Sequence, residues 1–418
     1  MNRQLIILLV MGLINMQCLG QSTFLSKQQV TQDFDYFVKT LEEKHPNPSA
    51  HFSKYRAFKD SLISSFSESI SYEDFSRTIA KYANLFQDGH TFASNTKISD
   101  TAKVLPFDVL LKNNRFFISN LFHEDFSTEY EGAEIISIND EPIDDVISLV
   151  MPYLGGETAE HKLSRLEHSF AGFVYRVMGE ITELGLHQEG SDLTIRPALI
   201  ERSQWLQQSI NQKRPVFEYQ SIDSKTSLIL FTDMGNLSRK EYKRFLNNTF
   251  KEIKNNNIKN LIIDLRHNGG GNFLYGQMLI AYLTDKPYIV HDTYQYDMEG
   301  QKINRNLVGE IKPKNRKNIF SGNLFFLASP YTYSSAASIV SAVKFNGIGK
   351  IIGKPIGQPY AGFIDMTTFK LPNSKLLCGT STIYYEYAGA TDINKQLGIH
   401  PDIETDEDAL ELVLNKIK

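Results

Sequence analysis

Hydrophobic positions near the N-terminus recur at the spacing of helices. In residues 26–46 apolar side chains occur every three or four positions until a His-Pro pair ends the pattern, and these positions are Val30, Phe34, Phe37, Val38 and Leu41. Such a stripe is typical of a helix with one face in a core. Residues 71–86 repeat the pattern, with Ser71 as the expected N-cap. Residues 26–96 are therefore expected to be mainly helical.

From about residue 102 the pattern changes to short apolar runs separated by turn residues. The stretch "VLPFDVLLKNNRFFISNL" predicts a hairpin with Asn113 and Asn114 in its turn. The stretch "GAEIISINDEPIDDVISLV" predicts a strand, a tight turn at Asn139 and Asp140, and an amphipathic helix. Further short strands are expected up to about residue 217.

From residue 225 onward, apolar strands alternate with helices. The expected strands are "SLILFTDM", "NLIIDL", "NLFFLAS" and "KIIG", with helical stretches between them. This alternation is typical of a sheet that is covered on both faces, with a functional site in the loops that follow the strands. The predicted fold class is therefore mixed α/β.

Composition and charge exclude several classes of protein. The chain has 418 residues, an ordinary globular composition and a formal charge of −4, with a pI near 6.2. A slightly acidic chain lacks the broad cationic surface that nucleic-acid binding requires, so no nucleic-acid partner is expected.

The first twenty residues are typical of a secretory signal peptide. Arg3 precedes an apolar run at residues 5–14, and Gly20 is a small residue before an expected cleavage point. The run is too short to span a bilayer, so no stable membrane insertion is expected after its removal. The chain is therefore expected to be exported, to a periplasm or the exterior, with lipid attachment at Cys18 as the less favoured alternative.

Removal of that segment leaves Cys378 as the single cysteine. A single thiol forms no intramolecular disulfide, and the sequence contains no cluster of cysteines and histidines at the spacing of a zinc site. Neither a metal nor an organic cofactor is therefore expected.

Three consecutive glycines follow a buried strand in "LIIDLRHNGGGNF", residues 261–273. The run lacks the spacing of the glycine loops that bind nucleotides. Glycine permits unusual backbone angles and leaves N–H groups open to a ligand oxygen, which is what an oxyanion hole requires. A glycine-rich turn needed only for packing is the alternative.

An oxyanion hole implies a nucleophile and a base. In "FFLASPYTYSSAASIV" the residues Ser334 and Ser335 stand at the start of a predicted helix, where either is a candidate nucleophile or simply an N-cap. Candidate bases are His90 in "QDGHT", His267 beside the glycines and His400 in "GIHPDI", and spacing does not choose among them. Most other histidines, such as His45, His51 and His187, are expected at the surface.

Five stretches, taken together and in order, resemble the C-terminal processing (tail-specific) serine peptidases, especially the branch related to the tricorn protease core. They are "QDGHT", "GAEIISINDEPI", "IIDLRHNGGGN", "YSSAASIV" and "LGIHPDIET", and they cover most of the chain. The resemblance implies four parts. These are a signal peptide at residues 1–20, a helical N-terminal region at 21–100, a PDZ-like strand-rich module at 101–218 and a crotonase/ClpP-like catalytic domain at 219–418.

The same resemblance implies roles for individual residues. The first serine of the family's Ser-Ala-Ser-Glu turn falls on Ser335, which becomes the expected nucleophile, and His90 matches the histidine base of the tricorn-like branch. The amide of Ala336 and one from Gly269 or Gly270 would form the oxyanion hole.

Two family features are missing from their usual places. The classical branch uses a lysine base, and Gln358 occupies its expected position, with Lys354 four residues earlier as a substitute. The tricorn-like branch uses a late glutamate, for which Asp392 and Glu386 are the nearest candidates.

The expected function is an exported serine peptidase that acts on a peptide or protein substrate. Two alternatives stay open from the sequence. One is a catalytically silent relative that binds peptides or hydrophobic ligands, and the other is an acyl hydrolase that acts on a non-peptide substrate with the same nucleophile.

Overall fold

The structure is a computed structural model, and it describes residues 24–46, 55–94, 98–122, 126, 128–211, 214–235, 237–292, 295–296, 302–303, 309–314 and 316–417. The predicted signal peptide, Cys18 and His51 lie outside the described residues.

The N-terminal part is helical, as the hydrophobic pattern predicts. Its elements are β1 (Phe24–Ser26), α1 (Lys27–Lys44), α2 (Tyr55–Ser64), β2 (Ser69–Ser71), α3 (Tyr72–Ala83), a 3₁₀ turn (Asn84–Phe86) and β3 (Phe92–Ala93). Ser71 caps α3 by accepting a hydrogen bond from the Asp74 N–H at 3.0 Å. The apolar stripe of α1 is buried in a core that also contains Leu371, Leu376 and Cys378 from the C-terminal part. The helical region is therefore packed onto the C-terminal part of the chain.

The middle part combines an antiparallel sheet with four helices. Its elements are β4 (Lys103–Val104), β5 (Phe107–Lys112), β6 (Arg115–Leu121), a 3₁₀ turn (Thr128–Tyr130), β7 (Glu134–Ile138), β8 (Glu141–Pro142), α4 (Ile143–Val150), a 3₁₀ turn (Met151–Tyr153), α5 (Ala159–His168), α6 (Phe170–Met178), β9 (Leu184–Gln188), β10 (Ser191–Ile195), β11 (Ile200–Glu201) and α7 (Arg202–Asn211). The main sheet has the order β10-β9-β7-β6-β5. Both predicted turns are present, with positive φ at Asn113, Asn114, Asn139 and Asp140.

The prediction of short strands alone up to residue 217 is wrong for much of this part. Helices α5, α6 and α7 occupy it, and α5 and α6 bury Leu166, Phe170 and Val174 in the core of the middle part. These apolar side chains are four residues apart, which is the helical period. Ala171, Gly172 and Phe173 fill the space between Phe170 and Val174, so no polar face marks the period in the sequence.

The C-terminal part is the α/β unit that the strand–helix alternation predicts. Its elements are β12 (Phe217–Ser221), β13 (Thr226–Phe231), α8 (Arg239–Asn255), β14 (Asn260–Asp264), α9 (Phe273–Ile280), β15 (Tyr288–Ile289), β16 (Gln295–Tyr296), β17 (Lys302–Ile303), β18 (Glu310–Ile311), β19 (Asn323–Ala328), α10 (Ser335–Phe345), β20 (Lys350–Gly353), β21 (Ala361–Lys370), β22 (Leu377–Glu386), β23 (Ile403–Glu404) and α11 (Ala409–Ile417). The main sheet has the order β12-β13-β14-β19-β20-β23. All of its neighbouring pairs are parallel except β12–β13.

Helices cover both faces of this sheet. In β14, Leu261 and Ile263 belong to the core that contains α8, α9 and α10, whereas Ile262 between them belongs to the core that contains α11. A strand that is buried on both faces carries a continuous apolar run, which explains why "NLIIDL" could be predicted as a strand from the sequence. The carboxyl ends of β14 and β19 lie side by side, where a parallel sheet places its functional loops.

A long hairpin connects the N-terminal part to this sheet edge. Strand β22 of the β21–β22 hairpin pairs with β3, with Gly379 opposite Phe92 and Cys378 opposite Ala93. The segment between α3 and β3, which contains His90, is thereby fixed to the C-terminal part. Among the described residues, no helix is both long enough and apolar enough to cross a membrane.

Candidate active site

Hydrogen bonds join the glycine loop after β14 to the serine turn after β19. The hydroxyl of Thr332 donates to the Leu265 carbonyl at 2.9 Å. The Tyr333 N–H donates to the Asn268 carbonyl at 3.1 Å. The two loops therefore form one rigid unit at the carboxyl edge of the sheet.

Asn268 holds the glycine run in place. Its buried side-chain amide donates to the Phe231 carbonyl at 2.9 Å, and its Oδ1 accepts from the Gly270 N–H at 2.9 Å. Gly270 has a φ of 99°, a value that residues other than glycine rarely adopt. A methyl group on Gly270 would lie 2.6 Å from Ser334 Cβ and 2.9 Å from the Ser335 nitrogen. The bare backbone therefore serves a close approach to the serine turn.

Ser334 stands at the sharp turn between β19 and α10 in a strained conformation. Its φ of 53° and ψ of −124° are unusual for a residue with a side chain. The same kind of strained strand-to-helix turn presents the nucleophile in other hydrolases. Gln358, which is fully buried, supports this turn because its Oε1 accepts from the Ser334 N–H at 2.5 Å.

The structure brings His90 to Ser334. The distance from His90 Nε2 to Ser334 Oγ is 3.1 Å. The neighbouring Ser335 was the predicted nucleophile, but its side chain is buried and its Oγ donates to the Gly271 carbonyl at 2.5 Å. The geometry therefore favours Ser334 as the nucleophile, because the turn directs the Ser334 hydroxyl toward His90 and the Ser335 hydroxyl toward the glycine loop.

Asp88 anchors the segment that contains His90. It is buried, and one carboxylate oxygen accepts from the Thr91 hydroxyl at 2.6 Å and lies 3.3 Å from His45 Nε2. The other oxygen accepts from the His90 N–H at 2.9 Å and lies 3.7 Å from His90 Nδ1. Burial opposes ionisation, but the hydrogen bonds from His45 and His90 outweigh it and lower the pKa of Asp88. A negative charge therefore stands beside the imidazole at neutral pH.

Glu157 and Tyr333 lie on the same side of the imidazole. The Tyr333 hydroxyl is 2.7 Å and 2.9 Å from the two carboxylate oxygens of Glu157 and 3.4 Å from His90 Nδ1. Burial raises the pKa of Glu157 to about 7, and the charge of Asp88 adds to this effect. For His90, burial lowers the pKa, but the hydrogen bond and charge of Asp88 and the charge of Glu157 prevail and raise it above its usual value.

The competing histidines have other environments. Burial lowers the pKa of His267 to about 3, so this residue is a poor base at neutral pH. His400 is exposed and lies 3.2 Å from Glu404. His45, which was expected at the surface, is buried against Asp88, so that expectation is wrong, whereas the side chain of His187 is partly exposed. His45 follows the end of α1, where a short polar stretch gave no sign of burial.

The substitutes for the missing family features lie away from the Ser334–His90 pair. Lys354 forms an ion pair with Asp406 at 3.0 Å. Asp392 is almost fully exposed and pairs with Lys395 at 2.8 Å. Glu386 accepts a hydrogen bond from the Tyr384 hydroxyl at 3.2 Å. None of the three makes a described contact with the pair.

The predicted oxyanion donors are partly engaged within the turn. The Ala336 N–H donates to the Tyr333 carbonyl at 3.1 Å, and the Gly270 N–H is taken by Asn268. Gly269 lies against the Tyr331 ring, at ordinary contact distance for an added methyl group.

Sequence reasoning missed Asp88, Glu157 and Tyr333. Asp88 has a local signal, because an acid two residues before a histidine can fold back onto it. Glu157 has none, since it reaches the site only through packing of the middle part against the C-terminal part.

One group of side chains could hold a cation. Asp88, His90 and Glu157 each offer an atom within 4.8 Å of the others. The Tyr333 hydroxyl is hydrogen-bonded to the Glu157 carboxylate at 2.7 Å and lies 3.4 Å from His90 Nδ1, so these side chains already satisfy one another by hydrogen bonds. We therefore assign this cluster to hydrogen bonding.

A large cavity belongs to another region of the molecule. It has a volume of about 1030 Å³ and is lined by cationic side chains, among them Arg239, Lys243, Lys312 and Arg316. None of the residues around Ser334 lines it, and its size alone does not indicate chemistry.

Comparison with known proteins agrees with this geometry. Residues 225–405, which include the glycine loop and both serines, match the model of peptidase family S41. This part of the chain is similar to the serine peptidases of family S41. No curated protein gives a significant match to the sequence.

Solved structures extend the similarity beyond residues 225–405. The crystal structure of mature CPAF has a TM-score of 0.69 at 14% identity, covering 94% of this chain and 96% of that one. The photosystem II D1 C-terminal processing protease has a TM-score of 0.51 at 12% identity, covering 90% and 93%. At these identities the similarity establishes the fold. Together with the family match over residues 225–405, it supports a serine-type peptidase of the kind that the sequence motifs resemble.

Proposed function

We propose that Ser334 is the nucleophile of this peptidase and that His90 is its general base. The observation that supports this assignment is the 3.1 Å distance from His90 Nε2 to Ser334 Oγ. General-base catalysis requires hydrogen-bond contact between the two groups, and a strained turn keeps the hydroxyl directed at the histidine. The nucleophile expected from the sequence, Ser335, instead ties the glycine loop to α10.

The reaction follows from these positions. Ser334 Oγ attacks the peptide carbonyl carbon while its proton moves to His90 Nε2. The C–N bond of the tetrahedral intermediate then breaks, and His90 returns the proton to the leaving amine. Water attacks the acyl-enzyme by the same route and releases the second product. The negative charge of Asp88 stabilises the imidazolium that forms in each half of the reaction.

The oxyanion hole is proposed to use the Ser335 N–H and the N–H of Gly269 or Gly271, because the Gly270 N–H already donates to Asn268. The amide that follows a nucleophile at such a turn is the usual first donor. The Ser335 nitrogen lies close to Gly270, which supports this choice. The Ala336 N–H already donates a hydrogen bond within the turn, which argues against Ala336 as a donor. A donor of this kind contributes about 3 kcal/mol of transition-state stabilisation.

The domain plan from the sequence remains part of the proposal. It divides the chain into a helical region at residues 21–100, a PDZ-like module at 101–218 and a catalytic domain at 219–418. The core of the middle part lies within 101–218 and supports that module, whereas the core of the helical region also contains Leu371, Leu376 and Cys378 of the C-terminal part. The strand–helix layers of the last part support a crotonase/ClpP-like domain. The antiparallel sheet of the middle part supports a PDZ-like module that binds a peptide by strand addition.

We further propose that the protein is exported. The support is the signal-like segment at residues 1–20, with its basic start and apolar run. Its substrates would then be peptides or proteins outside the cytoplasm.

Peptide hydrolysis by matched serine variants tests the proposed site. A mixed peptide library is incubated with wild type, Ser334→Ala, Ser335→Ala and His90→Ala, and the products are measured by mass spectrometry. Ser334→Ala and His90→Ala should each lose on the order of 10³-fold or more. Ser335→Ala should lose about tenfold or less, because it removes a hydrogen bond and no reacting group.

Two outcomes would contradict the proposal. One is hydrolysis that survives in Ser334→Ala and disappears in Ser335→Ala. The other is hydrolysis that is unchanged in His90→Ala. Cleavage of an ester library alone, dependent on Ser334, would replace peptide hydrolysis with the acyl-hydrolase alternative.

A further inference from the structure

The Tyr333 hydroxyl connects Glu157 to Nδ1 of His90, the ring nitrogen that does not contact Ser334. It lies 2.7 Å from Glu157 Oε1 and 3.4 Å from His90 Nδ1. Glu157 belongs to the middle part of the chain, between a 3₁₀ turn and α5, whereas Tyr333 directly precedes Ser334. The connection therefore joins two parts of the molecule at the proposed active site.

The surroundings of Tyr333 hold its hydroxyl in this place. Its ring stacks on His161, with 4.3 Å between ring centroids, and against His90 at 5.1 Å on the other side. His161 is fixed in turn, since its Nδ1 lies 2.8 Å from the Pro330 carbonyl. A methyl group on Gly89 would overlap the Tyr333 hydroxyl. The position is thus built from several elements and depends on Gly89, which lies between Asp88 and His90.

A tyrosine hydroxyl has one proton, and this fixes the direction of the connection. When Glu157 is ionised it can only accept, so Tyr333 donates its proton to the carboxylate. The phenol oxygen then presents a lone pair to His90 Nδ1. A proton on Nδ1 is favoured, which leaves Nε2 unprotonated and able to accept from Ser334.

We propose that Glu157 is a positioning residue that acts through the Tyr333 hydroxyl to hold His90 in the tautomer whose Nε2 accepts the proton of Ser334. This inference rests on the proposed function of Ser334 and His90. The tricorn-like peptidases use a glutamate from late in the chain to assist the site. In this protein Glu157, from the middle part, would take over part of that role.

Protonation of Glu157 would reverse the connection. A neutral Glu157 donates to the Tyr333 oxygen, the phenol proton turns toward Nδ1, and the Nε2-protonated tautomer is favoured. Burial raises the pKa of Glu157 to about 7, so both directions are accessible near neutral pH. Tyr333 itself keeps its proton, because burial and the charge of Glu157 raise its pKa well above the usual value.

Other groups around the connection limit the size of the effect. The titratable or charged side chains that influence Glu157 or His90 are Asp88, His161, Lys162, Tyr333, Tyr385 and Tyr387. Asp88 stays ionised and favours a proton on Nδ1 at every pH of interest. Loss of the connection is therefore expected to weaken the base and not to abolish it.

The test uses the full-length protein with histidine ring nitrogens labelled with ¹⁵N. Wild type is compared with Glu157→Gln, Tyr333→Phe and the double variant, and Glu160→Gln is the matched control because Glu160 is exposed on the first turn of α5. The His90 resonances are identified by their loss in His90→Gln. The rate of labelling by a fluorophosphonate is measured across the same pH range.

In wild type, His90 should be protonated on Nδ1 above about pH 7, and the Nε2-protonated share should rise as Glu157 is protonated. Glu157→Gln and Tyr333→Phe should raise that share at alkaline pH and slow labelling on the order of tenfold. The double variant should be no slower than Tyr333→Phe, because both changes break one connection. Glu160→Gln should behave as wild type.

Unchanged His90 tautomers in both single variants would overturn the inference, as would rate losses that simply add in the double variant. Failure of the proposed function gives a different result, in which wild type is not labelled at Ser334 while the His90 resonances still respond to Glu157→Gln. The histidine spectrum also reports whether each variant is folded, so a misfolded variant cannot imitate either outcome.

Discussion

Substitution of Gly270 by alanine tests why the chain carries bare backbone beside the nucleophile turn. The φ of Gly270 is 99°, and the added methyl group would lie 2.6 Å from Ser334 Cβ and 2.7 Å from the Tyr333 carbonyl oxygen. Both distances are shorter than a carbon atom tolerates. The glycine loop or the serine turn must therefore move.

The expected cost has two parts. The unfavourable φ costs about 1–3 kcal/mol, and the overpacking costs about 1–3 kcal/mol more. Gly270→Ala should therefore lower the free energy of unfolding by roughly 2–6 kcal/mol. A shift of Ser334 Oγ of about 1 Å relative to His90 should also reduce the rate of peptide hydrolysis by on the order of 100-fold.

Gly269→Ala is the matched control. Gly269 has no positive φ, and its added methyl group would meet the Tyr331 ring at 3.5 Å, an ordinary contact distance. Urea unfolding gives the stability of both variants, and a fluorophosphonate labelling rate gives their activity under conditions in which both are folded. Equal stability and equal labelling of the two variants would refute the argument for close approach.

Three further predictions follow from individual contacts. Ser334→Gly should be about 1 kcal/mol more stable than Ser334→Ala in urea unfolding, since glycine relieves the strain at φ 53°, and equal stability would contradict the strained turn. Burial raises the pKa of Glu157 to about 7 from a usual 4.5, so the folded protein holds this proton more tightly than the unfolded chain. The free energy of unfolding of wild type should therefore fall, relative to that of Glu157→Gln, by up to about 3 kcal/mol as the pH rises from about 4.5 to about 7. A difference in unfolding free energy between the two proteins that is the same at about pH 5 and about pH 8 would contradict the shift. Lys354→Ala should change peptide hydrolysis by about twofold or less, because Lys354 pairs with Asp406, and a loss above about tenfold would restore lysine as the base.

Much of the catalytic part could be predicted from the sequence because its signals are local. Strand β14 is a continuous apolar run that ends at a glycine loop, and β19 is followed by serines at a helix start. Both patterns depend on neighbouring residues in the chain. Helix α1 was predictable for the same reason, since its buried stripe repeats at the helical period.

The sequence could not predict which serine contacts His90 or which side chains surround that histidine, because both depend on tertiary packing and on backbone angles. The positive φ of Ser334 turns one hydroxyl toward His90 and leaves the next for the Gly271 carbonyl, and a motif match cannot resolve a shift of one residue. Glu157 reaches the site from the middle part, whose helices the sequence pattern largely concealed. His45 was expected at the surface because nothing near it in sequence shows that Asp88 requires a partner.

The most direct test of the account is to identify the residue that a fluorophosphonate modifies. Wild-type protein is labelled at neutral pH, digested and sequenced by mass spectrometry, with His90→Ala treated in parallel. The account predicts an adduct on Ser334 that is absent or strongly reduced in His90→Ala. An adduct on Ser335, or an adduct on Ser334 that forms equally fast without His90, would contradict it.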